Sequence, residues 1–306
     1  MDSEVKLQEP FAEIKHVAVE YPIGSDENEA ENAYFTYNAT VGDTLDRELY
    51  IAFQVLDYAL CTAPGAPLKR ALLEKGIGTD IYSIYENGIK QPYFSIVSKN
   101  ADEKQEKEFV ETVEEVLGKI VKDGFDKKAL YAALSHYEFK YREADFGSTP
   151  KGLMYGLQML DSWLYDDAKP FIHVEANATF AALKKKVEEG YFEELVKKYL
   201  IENTQKSILL LLPRKGLTEK SDKELEEKLA AYKAGLTKEE IAKIIADSKA
   251  LKEYQDSEDA EEDLQKIPLL TREDMKREAT KTVNELRSIG NTPFLYHDIF
   301  SNGIAY

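Results

Sequence analysis

Four histidines and one cysteine are all that this 306-residue chain offers to metal-binding or nucleophilic chemistry, so each arrangement can be checked in turn. A zinc-peptidase helix places two His on one face with a Glu beside them, and neither His-Glu-x-x-His nor its inverse, His-x-x-Glu-His, occurs. His136 and Glu138 stand two apart in a helical stretch, which turns them to different faces. His173 and Glu175 repeat that spacing in a loop, and His16 lies in a strand-like run with no Cys or second His nearby. His297 stands close to the C-terminal end. A metal centre needs several converging ligands, so each His reads as a surface or hydrogen-bonded residue. Cys61, among apolar helical neighbours, reads as a buried thiol with no disulfide partner.

Other chemistry-bearing patterns are equally thin. Gly76-Ile77-Gly78 lacks the further glycines, the Lys-Ser/Thr pair and the preceding strand of a phosphate loop, and reads as a helix C-cap. No Gly-x-Ser-x-Gly elbow is present, and the 57 carboxylates are too many for one pair to stand out. Trp163 reads as a core or interface anchor, with a substrate platform as the lesser alternative. The expected list of catalytic, cofactor-binding and metal residues is therefore empty.

The formal charge of −17 repels phosphate backbones and anionic lipid, so neither nucleic acid nor membrane is an expected partner. An apolar fraction of 43%, with 13 Phe and 19 Tyr, exceeds what a disordered chain carries. No window approaches the ~18 consecutive apolar residues that a membrane span needs. The expectation is a soluble globular protein of about two domains; its compartment stays open, with the cytoplasm as the leading expectation.

The elements that would position any site follow from periodicity. His16 to Ile23 and Tyr34 to Val41 alternate like strands and read as an antiparallel pair across an acidic turn. Asp43 or Thr44 is the expected cap of a helix running to about Leu60, and Leu68 to Leu73 is a short helix closed by Gly76. Two β-rich runs around Glu86-Asn87-Gly88 make a hairpin. Helices are expected over 102–122, 126–142, 150–165, 180–188 and 192–200, followed by the apolar strand "KSILLLLP". This order points to an α+β fold, a mostly antiparallel sheet with helices packed on it. Ser221 to Glu224 and Thr237 to Glu240 read as capping boxes of two charged helices. The expected organisation is an α+β domain over 1–217, a helical hairpin or hinge over 218–286, and the first strand or strands of a further domain over 287–306. Phe294 to Phe300 reads as a strand, Ser301-Asn302-Gly303 as a turn and Ile304 to Tyr306 as the start of a second strand. This reading leaves the first strand without its partner and expects the polypeptide to continue past Tyr306.

Three stretches carry a resemblance. "GAPLKRALLEKGIG" (Gly65 to Gly78) resembles a Pro-Leu-x-x-x-Leu-x-x-x-Gly-Leu-Gly pattern in the non-catalytic second α+β domain of insulinase/pitrilysin-type zinc metallopeptidases. "PKGLMYGLQMLDSWLYDDAKPF" (Pro150 to Phe171) resembles a segment of that family's presequence protease and falcilysin branch. "IPLLTREDM" followed by "NTPFLYHDIFSNGIAY" is similar to the branch's hinge and the first strand of its third domain. The resemblance implies an internal fragment of a zinc-dependent oligopeptidase that degrades unstructured peptides, a clamshell of four domains. Its zinc ligands would lie in a first domain and its substrate-clamping Arg and Tyr in a fourth. None of these residues can be carried onto a position of this sequence. Zinc is thus implied for the parent and no cofactor for this chain, which is expected to be inactive alone. Its expected partners are the missing first, third and fourth domains and unstructured peptide. A stand-alone, non-catalytic scaffold or peptide-binding protein is the alternative.

Overall fold

The computed structural model describes residues 4–278, 281 and 283–299. They divide into two compact units, which meet in sequence between Thr218 and Glu219.

The first unit is built on a five-stranded sheet: β1 (Lys15–Ile23), β2 (Ala33–Thr40), β3 (Asp80–Glu86), β4 (Tyr93–Ala101) and β5 (Lys206–Lys215), in the order β1-β5-β2-β4-β3. Only the β1–β5 pair is parallel; the others are antiparallel. Along β2 the side chains of Ala33, Phe35, Tyr37 and Ala39 are buried while those between them are half-buried, the two-residue period of a strand with one covered face. Phe35 lies opposite Leu210 and Tyr37 opposite Ile208, so both strands send their buried residues to the same face.

Helices α1 (Arg47–Asp57), α2 (Pro67–Glu74), α3 (Glu106–Asp123), α4 (Lys127–Glu143), α5 (Lys151–Trp163), α6 (Asn177–Lys186) and α7 (Tyr191–Leu195) accompany this sheet. Phe53 and Leu56 of α1, Phe109 and Val113 of α3, Leu134 of α4 and Phe180 of α6 are wholly buried in one apolar cluster with Phe35 and Tyr37. Each such side chain contributes about 1.5–3 kcal/mol by leaving water, which is why helical periodicity in the sequence was sufficient to place these helices. The fold is α+β with a mostly antiparallel sheet. Among the described residues, no helix is long and apolar enough to cross a membrane.

The strand pairing corrects one expectation. β1 and β2 are not partners; β5 lies between them, parallel to β1 and antiparallel to β2. A run as apolar as Ile208 to Leu212 is best shielded with neighbours on both edges, whereas the charged and exposed β1 tolerates the sheet margin. Lys206 opens β5 with only 3% of its surface exposed, and it is accommodated because its ammonium donates to Tyr37 Oη at 3.0 Å and to the Ile201 carbonyl at 2.7 Å.

Two cap assignments also change. The α1 cap is Asp46, whose carboxylate accepts from the Glu48 and Leu49 backbone N–H groups, and not Asp43 or Thr44. Ser221 does not cap a helix but lies inside α8 (Leu217–Ala234), which begins just past β5 at Gly216.

The second unit holds most of α8, then α9 (Lys238–Gln255), a short α10 (Glu261–Leu264) and a two-stranded sheet of β6 (Asn284–Ile289) and β7 (Thr292–His297). Thr237 and Glu240 form the expected reciprocal cap of α9. The β7 strand that holds Phe294 does have a partner: it pairs antiparallel with β6 across the two-residue turn Gly290-Asn291, with Gly290 at φ 59°. β6 thus runs across the position, between 286 and 287, where the sequence suggested a boundary. The turn at Ser301 to Gly303 and the strand start at Ile304 lie outside the described residues.

Candidate functional site

In the first unit, α1, α4 and α5 enclose a cavity of about 430 Å³. Tyr50 and Gln54 reach it from α1, Tyr137, Lys140 and Tyr141 from α4, and Met154, Leu157, Gln158 and Asp161 from α5. Each set repeats at three- or four-residue spacing, the rows by which one helix face meets its neighbours. Ala144 ends α4 in a left-handed conformation, φ 47°, which turns the chain so that Phe146 and Tyr155 complete the lining.

The floor of the cavity is polar. The Tyr50 hydroxyl donates to Asp161 Oδ2 at 2.7 Å. Gln54 Nε2 lies 3.1 Å from both the Tyr50 carbonyl and Tyr141 Oη, so one amide bridges α1 and α4. Thr44 Oγ1 lies 3.0 Å from the Asp161 carbonyl and 3.1 Å from the Asn87 carbonyl, which ties the β3–β4 loop to the end of α5.

Burial sets the protonation of these groups. It holds the Asp161 carboxyl above the usual carboxylate range, Tyr50's hydrogen bond opposing that and the nearby Glu86 charge adding to it. It also pushes Tyr141 up to about 12 and Tyr50 far above the ordinary phenol range, so both rings stay neutral donors. Behind Tyr50, wholly buried, the His173 ring stacks at 3.6 Å between centroids. Burial lowers His173 to about 4, the nearby Thr44 backbone opposing the shift and the Arg47 charge adding to it, and both ring nitrogens are buried with no hydrogen-bond partner among the described residues. This imidazole is neutral at pH 7 and serves as a packing surface.

The other residues singled out by the sequence are scattered. His16 Nδ1 sits 3.6 Å from Glu106 Oε1 on the exposed β1 edge. His136 stacks on Tyr58 at 4.5 Å, and His297 is an exposed residue of β7. Cys61 is buried and its thiol is pushed up to about 12, which leaves it unreactive as a nucleophile. Among the described residues, no three or more His, Cys, Asp or Glu side chains converge where they could hold a metal ion. Zinc therefore does not fit the side chains of the described residues. Gly76 does follow the α2 C-terminus, at φ 68°.

Trp163 departs from the core expectation. It is 45% exposed, and with Leu153, Leu160 and, just past the helix end, Leu164 it leaves an exposed apolar stripe along α5. No local sequence signal marks the residues of the cavity. Tyr50, Tyr141 and Asp161 each look like an ordinary helical residue, and 111 residues separate Tyr50 from Asp161.

The chain belongs to the M16 peptidase family: residues 2–137 match the Peptidase M16 inactive domain, and residues 211–306 match the region associated with subfamily C of the M16 peptidases. It is 39% identical over 306 residues to Protein HypA of Clostridium perfringens, covering all of this chain and 31% of that one. To Presequence protease 1, chloroplastic/mitochondrial, of Arabidopsis thaliana it is 30% identical over 312 residues, covering 99% of this chain and 29% of that one. The mitochondrial presequence protease of Schizosaccharomyces pombe is 27% identical over 83% of this chain and 25% of its own length. The chain thus spans between a quarter and a third of these relatives. Among solved structures, the peptidase M16 inactive domain from Pseudomonas fluorescens aligns with 69% of this chain and 46% of that one, at 15% identity and a TM-score of 0.47, too loose a likeness to add to the topology.

Proposed function

We propose that this chain is the non-catalytic part of a zinc-dependent oligopeptidase that degrades unstructured peptides. The sheet domain forms part of the wall of the peptide chamber, and α8 and α9 link the two halves that close around it. The observation that carries this reading is the 30% identity to a presequence protease along 99% of the chain. The order of the two family regions, inactive domain first and subfamily C-associated region second, supports it further. The metal and the base that activates its water would then be supplied by other domains of the same polypeptide, together with the groups that clamp substrate. Those domains and the peptide are the proposed partners. Closure of the halves would exclude water and set the size of peptide admitted.

The test uses two purified proteins, the 306-residue chain and the product of the complete gene, each assayed for zinc content and for cleavage of a quenched unstructured peptide. The expected result is chelator-sensitive turnover by the complete product and neither zinc nor turnover with this chain alone. Stoichiometric zinc with turnover in the 306-residue chain would overturn the proposal, as would a natural gene that ends at Tyr306.

A further inference from the structure

We propose that the cavity between α1, α4 and α5 is a binding site for an organic cation, the guanidinium or ammonium end of a basic peptide side chain, with Asp161 as its counter-charge. The site stands on the cavity itself, whether or not the complete protein cleaves peptides.

A volume of about 430 Å³ suits one long side chain or a small ligand, not a folded partner. Five aromatic residues line it: Tyr50, Tyr137, Tyr141, Phe146 and Tyr155. Aromatic faces attract cations through the ring quadrupole, and the attraction grows as water is excluded. Such a wall could equally serve a neutral apolar group; the carboxylate favours a cation. Asp161 lines the same cavity, half-buried, and its Oδ2 is held by the Tyr50 hydroxyl. The charged neighbour that acts on it is another carboxylate, Glu86, and among the described residues no cation pairs with it. A Cβ placed on Gly88 would lie 3.3 Å from both Asp161 Oδ1 and Glu86 Oε1, so the two acids border one small space. Tyr50 and Tyr141, the titratable groups facing Asp161 from α1 and α4, are neutral phenols, and His173 behind Tyr50 is a neutral imidazole. A partly buried carboxylate without a countercharge is costly, and a bound cation would relieve that cost.

One cation already uses this wall. Lys140 lines the cavity, and its ammonium lies 5.5 Å from the centre of the Tyr137 ring. Lys140 is therefore an internal competitor, covering the aromatic surface until a ligand displaces it. This yields two substitutions of opposite sign, which a merely structural role for either residue would not produce.

The experiment titrates the purified chain with N-acetyl-argininamide and with its neutral counterpart, N-acetyl-norleucinamide, by calorimetry. The arginine probe should bind saturably, one per chain and roughly tenfold more tightly than the neutral probe. Asp161→Asn keeps the oxygen that accepts from Tyr50 and removes the charge; it should abolish the tenfold preference. Lys140→Gln should tighten arginine binding about two- to fivefold. Equal binding of the two probes would overturn the proposal, making the cavity an apolar pocket. It would also be overturned by a lack of saturation in a chain that still unfolds cooperatively. Should Asp161→Asn fail to fold, Lys140→Gln decides the matter: unchanged or weaker arginine binding refutes the assignment.

Discussion

The Tyr50 hydroxyl donates a 2.7 Å hydrogen bond to Asp161 Oδ2, joining the first turn of α1 to the last turns of α5 across 111 residues. Asp161 sits near a helix C-terminus, where a negative charge opposes the helix dipole, and it is partly buried as well. Tyr50→Phe removes the donor that tolerates this carboxylate. The expected cost is about 1–3 kcal/mol in urea unfolding. Combining it with Asp161→Asn should recover part of that loss, since the double variant no longer buries an unpaired charge. A double variant that loses the full sum of the single effects would show that the two residues are independent.

Stability should fall as the solution is acidified from pH 6.5 toward 4. His173 is lowered to about 4 in the folded chain but takes up a proton near its ordinary 6.5 when unfolded, so the unfolded state binds more protons throughout that window. The stabilisation is complete above 6.5, and its loss by pH 4 amounts to about 3 kcal/mol. His136, also lowered by burial, adds in the same direction, whereas Asp161, raised, opposes it at the acid end. His173→Phe preserves a ring against Tyr50 and removes the titration. Its unfolding free energy should be flatter across the window than that of the unaltered chain, and parallel curves would refute the assignment.

Gly76 and Gly78 look alike in sequence but should respond differently to alanine. Both have positive φ, 68° and 77°. A Cβ on Gly76 meets nothing within 4 Å, so Gly76→Ala should cost only the left-handed penalty, about 1–2 kcal/mol. A Cβ on Gly78 would fall 2.2 Å from Ser98 Oγ and 2.7 Å from the Lys99 carbonyl oxygen, which belongs to β4 and cannot swing away. Gly78→Ala should therefore lose at least about 2 kcal/mol more than Gly76→Ala, as read from denaturant midpoints.

Lys206 offers a test of buried polar satisfaction. Lys206→Ala deletes packing and leaves the Ile201 carbonyl without its donor, for an expected loss of about 2–4 kcal/mol. Lys206→Met keeps most of the volume and should lose clearly less. Equal losses would mean that the hydrogen bonds, not the packing of the side-chain stem, carry the effect.

The α5 stripe should be energetically silent in the isolated chain. Leu153 is 55% and Leu160 37% exposed, so Leu153→Gln and Leu160→Gln should each change stability by no more than about 0.5 kcal/mol. Leu134→Gln, a wholly buried counterpart on α4, should be severely destabilising. Trp163, the one tryptophan, should be quenched by acrylamide almost as readily in the folded as in the unfolded chain.

Periodicity and caps are local properties, and they determined most of the helices and the strands of the five-stranded sheet. Leu49, Phe53 and Leu56 mark the inward face of α1 by their spacing, and Thr237 with Glu240 marks the start of α9 within four residues of chain. The three quoted stretches carried the family in the same local way. Tertiary structure decided what those local signals leave open. Alternation makes a strand of His16 to Ile23 without naming its neighbour, and a run near residue 210 became that neighbour because the most apolar strand gains most from being flanked on both edges. β6 carries polar Asn284, Glu285, Arg287 and Ser288, too weak a strand signal to announce that it would pair with β7. Trp163 has a core composition in a solvent-facing position, since helical spacing defines a stripe but not which way it turns. The cavity with Tyr50 and Asp161 is the clearest case: its residues come from three helices far apart in sequence, and only the packing of those helices on one sheet brings them within hydrogen-bonding distance.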